Sequence, residues 1–175
     1  MSILATGTVY FKDTLSNTMY DDISYFIQES AAKNKIGINL AYNLSSYAMS
    51  RYKADGSFIA DKTNMFYELT ESPWYSQSEN LFAPVIYNGK GEGIGIDLSR
   101  SRLPCVQNFF SDILNNENIT EILFSLQEDN PAPDEFERFK IHVGEFCETI
   151  SNAYKKTTSV EPAKLTPCVI VNICK

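Results

Sequence analysis

The residues of this 175-residue chain best able to do chemistry are four cysteines and a single histidine. Cys105, Cys147, Cys168 and Cys174 contain no C-x-x-C pair, and one histidine is too few for the common mixed zinc sites. A site built from all four thiols is chemically conceivable, but their separations match no finger or ribbon. Free buried thiols in a reducing compartment are the expectation. His142 would need a nucleophile and an orienting group beside it to form a Ser-His or Cys-His site. The nearest cysteine in sequence, Cys147, lies beyond Gly144, and no nucleophile-elbow or cysteine-protease signature surrounds any Ser or Cys. His142 is therefore expected on the surface, on one strand face with Lys140.

Carboxylates are abundant and adjacent: Asp21/Asp22, Glu128/Asp129 and Asp134/Glu135/Glu137. Such pairs run glycoside or metal chemistry only when a fold aims them into a cleft, and neighbours in a loop are ordinarily solvated. The glycines Gly89, Gly91, Gly93 and Gly95 fail the G-x-G-x-x-G spacing, and Gly89-Lys90 is not followed by Ser or Thr, so they read as a hairpin tip. Arg100 and Arg102 stand before a helix start, where they could hold an anion or pair with acidic residues. No catalytic, cofactor-binding or metal site is assigned.

Charge carries more information. The net charge is −7, and all of it falls in one window. Between Glu117 and Glu148 stand nine acids (Glu117, Glu121, Glu128, Asp129, Asp134, Glu135, Glu137, Glu145, Glu148) against two bases, Arg138 and Lys140. The remainder holds 13 residues of each sign. Such a field repels phosphate backbones, which disfavours direct nucleic-acid binding, and it attracts basic partners. A solvated acidic face that aids solubility is the plainer alternative.

Periodicity supplies the elements that must position these residues. Leu4–Lys12 reads as a strand. Met19, Ile23, Phe26 and Ile27 fall on one helical stripe, with Asp21 and Asp22 expected in the first turn and the helix end near Asn34. Alternation over 36–44 marks a second strand. Residues 45–79 are poorly patterned and read as short strands and loop, a place for a loop-rich insertion. Asp55-Gly56 suggests a hairpin there. The aromatics Tyr52, Phe66, Tyr67, Trp74 and Tyr75 in this region are either interface anchors or core beneath a long loop. Leu81–Tyr87 and Gly93–Leu98 flank Asn88-Gly89 as a hairpin, with Pro84 at an edge or bulge. Pro104 opens a helix with the stripe Val106, Phe109, Phe110, Ile113, Leu114.

Ile119–Gln127 is a strand. The next segment is either one helix from Asp134 to Lys156 or a strand in which Phe139, Ile141 and Val143 alternate with polar residues. Gly144 favours the strand, because glycine costs about 1 kcal/mol inside a helix. Phe146, Cys147, Ile150, Ala153 and Tyr154 then form a helical stripe. A polar linker over 155–166 and a closing strand over 167–174 follow. The expectation is a single α+β domain over residues 1–175, with one antiparallel or mixed sheet and about three helices packed mainly on one face. The chain shows no signal-peptide pattern and no apolar run of membrane-spanning length, so a cytoplasmic protein is expected.

The run ITEILFSLQEDNPAPDEFERFKIHVGEFCETISNAYKK, closing in PCVIVNI, resembles the immunity proteins of bacterial toxin systems, including those of contact-dependent growth inhibition and other polymorphic toxins. The resemblance covers residues 119–174. It implies a small, non-enzymatic, cofactor-free cytoplasmic monomer that forms a 1:1 complex with a cognate toxin. That toxin would be a basic one, of the nuclease type, blocked at its active site or substrate path. The charge count puts the candidate partner-binding residues at Glu128, Asp129, Asp134, Glu135 and Glu137. Two other readings stand beside this one: an accessory protein or chaperone of a phage or secretion system, and a hydrolase with an unrecognised site.

Overall fold

The computed structural model describes residues 3–41, 64–70, 82–86, 94–98, 100–128, 136–160 and 166–175. In chain order the elements are β1 (Ile3–Phe11), α1 (Asn17–Lys33), β2 (Gly37–Ala41), β3 (Asn64–Thr70), β4 (Phe82–Ile86), β5 (Ile94–Leu98), α2 (Leu103–Leu114), β6 (Ile119–Glu128), β7 (Glu137–His142), α3 (Phe146–Val160) and β8 (Val169–Cys174). Six strands form one mixed sheet in the order β2-β3-β1-β6-β8-β7, and β4 pairs with β5 as a separate antiparallel ribbon. Every pairing in the large sheet is antiparallel except β7 with β8, which α3 connects as a crossover.

The α+β class expected from periodicity is the class observed. Alternate residues along the strands enter the core: Met65, Tyr67 and Leu69 of β3, Ile122, Phe124 and Leu126 of β6, and Val169, Val171 and Ile173 of β8. The inward residues of all three helices join them in one cluster. At its centre Phe110, Phe124 and Phe146 meet edge to face, with ring centroids 5.2 to 5.7 Å apart. Such pairs add about 0.5–1.5 kcal/mol each beyond area burial. Tyr154 fastens α3 to β5 by donating its hydroxyl to the Leu98 carbonyl, 3.3 Å away.

One glycine is set by a close approach. Gly7 of β1 lies opposite Tyr67 of β3 and Phe124 of β6. The Tyr67 ring crosses β1 at Gly7, and its hydroxyl donates to the Leu123 carbonyl of β6 at 2.9 Å. A Cβ on residue 7 would collide with that carbonyl and with the phenol. The ring covers the gap left by the missing side chain, a known way of supporting glycine in a sheet.

Several expectations are corrected in detail. Helix α1 begins at Asn17, where the Ser16 hydroxyl accepts from the Met19 amide at 3.3 Å, so Asp21 and Asp22 lie in its second turn. Met19 is 42% exposed, and Tyr20 takes the inward place. Residues 64–70, within the stretch read as short strands and loop, form an interior strand, and Tyr67 takes the core place, one of the two readings for the aromatics there. Helix α3 extends to Val160, into the expected linker. Arg102 neither faces an acidic patch nor lies open to an anion: it is buried, donates to the Lys35 carbonyl at 2.6 Å and lies 3.5 Å from the Cys105 thiol. That bond holds the turn after α1, in which Lys35 has φ 59° and the Ile36 amide bonds back to Ala31. The 55–56 and 88–92 turns, Tyr52, Trp74 and Tyr75 lie outside the described residues.

Candidate partner-binding surface

Among the described residues, the acids of the window lie at both ends of the sheet. Pairing places Ile3 opposite Glu128 and Glu137 beside Val169, which in turn pairs with Leu126. Glu128 and Glu137 therefore lie at the same end of the sheet, on strands separated only by β8. Glu121 pairs with Cys174 and so lies toward the opposite end, where His142 closes β7 and Glu145 and Glu148 follow it. Contiguity in sequence made one cluster of acids that the sheet divides in two.

Of the five candidate residues, Glu137 is the one whose side chain is described. It is exposed and accepts from the Lys156 ammonium at 3.1 Å. Glu128 ends β6, while Asp129, Asp134 and Glu135 lie outside the described residues. At the other end, Glu121 stands beside Tyr10, whose pKa rises first through burial and then through that carboxylate. The Glu145 carboxylate accepts from the His142 amide at 2.9 Å and so begins the turn into α3.

His142 is exposed, as expected, and its Nδ1–H donates to the Lys175 carbonyl at 2.8 Å. That bond assigns the ring a structural partner at the end of β8. The cysteines are free thiols, but only Cys168 is fully buried; Cys105, Cys147 and Cys174 are half-buried. Burial, and then the neighbouring Cys105, push the Cys147 thiol pKa up, the reverse of an activated nucleophile. Among the described residues no three His, Cys, Asp or Glu side chains gather as metal ligands, and no helix is long and apolar enough to cross a membrane.

A second surface, not anticipated from sequence, lies on α1. Among the described residues two large apolar side chains are exposed, Met19 at 42% and Tyr25 at 65%, and both are on this helix. At 100° per residue, Asp22, Tyr25, Glu29 and Lys33 form an outer band, with Met19 and the half-buried Phe26 on its border toward the buried Ile23. The Tyr25 phenol is hydrogen-bonded to Glu29, and that bond with the adjacent charge raises the tyrosine pKa. Beside the band runs an open groove of about 570 Å³ between α1 and the end of α2, lined by Phe26, Glu29, Ser30, Lys33, Asp112, Asn115 and Asn116.

Asp112 ties the two helices: its Oδ2 accepts from Asn34 Nδ2 at 2.8 Å and from Lys33 Nζ at 3.4 Å. Both helices end here, so both present the negative ends of their dipoles. The Asn116 carbonyl already accepts from the Lys175 ammonium at 3.2 Å. The signal for this surface was present in the sequence: a tyrosine on the polar side of an otherwise regular amphipathic helix, four residues before a glutamate.

Comparison of the chain with family models, with curated proteins and with solved structures finds no match to any of them.

Proposed function

We propose that this chain is an immunity protein of a bacterial toxin system, a cytoplasmic, non-enzymatic binder that neutralises a basic cognate toxin by stoichiometric occlusion. The observation that carries the reading is that Glu128 and Glu137 share one end of the sheet, within the window 117–148 that holds the whole net charge of −7. These two acids flank in sequence three more at 129, 134 and 135. Acidic side chains gathered at one end of the sheet accelerate association with a basic partner and orient it, and do so less as salt rises. The resemblance of residues 119–174 to immunity proteins adds the biological class.

The test is affinity capture of the tagged chain from its native host, at low and at high salt, with mass spectrometry of the bound material. One basic toxin domain at one-to-one stoichiometry, held less tightly at high salt, is the expected result. Recovery of no partner, or of an acidic one, would sink the proposal. A basic partner held equally well at all salt concentrations would remove the acidic residues from the interface while leaving a binding function.

A further inference from the structure

We infer that the groove between α1 and the end of α2 receives an arginine side chain from a basic protein partner, with the outer band of α1 as its apolar rim. The partner's basic character rests on the proposed function; the arginine preference rests on the groove itself.

The groove offers three things that a guanidinium uses together. Phe26 lines it and is half-buried, which leaves part of a ring for a planar cation to stack upon. Glu29 on α1 and Asp112 on α2 place a carboxylate on each wall, suited to the forked donors of arginine. Asn115 and Asn116 line the groove at the C-terminal, negative end of α2. The present occupant of this field is Lys33, whose side chain is 74% exposed and reaches Asp112 at 3.4 Å. A pair that long and that exposed is weak, so Lys33 can swing into water when a better donor arrives.

The rim supplies what a charge pair alone lacks. Tyrosine and methionine are enriched at protein interfaces, and aromatic anchors beside a charged contact exclude water from it. Tyr25 is linked to Glu29, which lines the groove, and Met19 lies two helical turns from Phe26, roughly 10 Å along the axis. Together they extend the contact from a pocket to a strip along α1.

The test is a titration of the isotope-labelled full chain, followed by amide chemical shifts, with acetyl-arginine methylamide and, separately, acetyl-norleucine methylamide. Arginine should move the amides of Phe26, Glu29, Lys33 and Asn115 and bind roughly tenfold more tightly than norleucine, about one charge-assisted hydrogen bond's difference. Glu29→Arg should abolish these shifts while leaving the thermal midpoint unchanged. Equal binding of norleucine, shifts scattered over the surface, or no shifts would overturn the inference.

This titration needs no toxin, so it decides the groove even if capture recovers nothing. With a captured basic partner in hand, Tyr25→Ala and Glu29→Arg should each weaken the complex by about thirtyfold, the loss typical of a hot spot. A partner that binds both variants as it binds the parent chain would overturn the groove as its site while leaving the immunity function standing.

Discussion

Two tyrosines, one in the core and one on the surface, divide the molecule's work. Tyr67 is 3% exposed, lies across β1 at Gly7 and donates to the backbone of β6. Tyr25 is 65% exposed on α1 and bonded to Glu29, which lines a groove with acidic walls. Burial pushes the Tyr67 pKa well above the ordinary tyrosine value, whereas at Tyr25 a neighbouring carboxylate does the raising. The same side chain thus locks three strands together in one place and offers a contact in the other. The difference lies in what surrounds each ring, since a phenol that has found a backbone partner in the core has none left for a ligand.

The strongest way to break this comparison is at Gly7. Gly7→Ala should cost about 3 kcal/mol or more, or prevent folding, because the added carbon meets a backbone oxygen that cannot move without parting β1 from β6. Chemical denaturation reads the loss, and a near-neutral result would mean that the Tyr67 ring does not cover this glycine. Tyr67→Phe should cost about 1–2 kcal/mol by leaving the Leu123 carbonyl without its phenol donor.

That second variant also changes the response to alkali. The folded pKa of Tyr67 is raised, so its contribution is complete below pH 10, the unfolded value, and is lost as pH rises toward the folded one. The parent chain should therefore lose stability more steeply above about pH 10 than Tyr67→Phe does. Parallel slopes in denaturation curves taken across that range would contradict the assignment.

On the outer face the expectation inverts. Tyr25→Ala should change stability by no more than about 0.5 kcal/mol while weakening any complex formed through α1. If it unfolds the protein, Tyr25 belongs with Tyr67 and the contrast fails. The smallest effect is expected at the sheet end, where the Glu137–Lys156 pair is 46% and 63% exposed. Glu137→Gln should cost well under about 1 kcal/mol, and less in salt.

Much of this architecture was legible in the sequence because local chemistry agreed with the fold. Gly144 separated β7 from α3, and the helix of 146–160 carries its stripe where the spacing placed it. Pro104 opened α2, and all five stripe residues are buried. β3 was missed for a physical reason. Phe66 lies on the opposite face from Met65, Tyr67 and Leu69, so an apolar residue stands at a nominally polar position and blurs the alternation. The wider acidic window shows where a charge count along the chain stops. Counting charge along the chain treats residues 117 to 148 as neighbours, whereas pairing through β8 sends Glu121 and Glu137 to opposite ends of the sheet. On α1 the sequence carries the exposed Tyr25 but not the groove, because Glu29 and Asp112 come from helices that only tertiary packing brings together.

The position of β1 has a consequence for how the chain reaches this state. Its neighbours are β3 and β6, and the Thr120–Tyr10 hydrogen bond alone spans 110 residues of chain. The middle of the sheet is therefore sealed by its most distant partners, and the entropy of closing that loop must be met before any central contact repays it. β7, α3 and β8, by contrast, lie close together in sequence, but their parallel pair has a single flank, on β6. The slow event in folding should be the arrival of β6 beside β1. Until then the edges of both strands are open to other chains, and crowded or rapid refolding should favour aggregation over the native sheet.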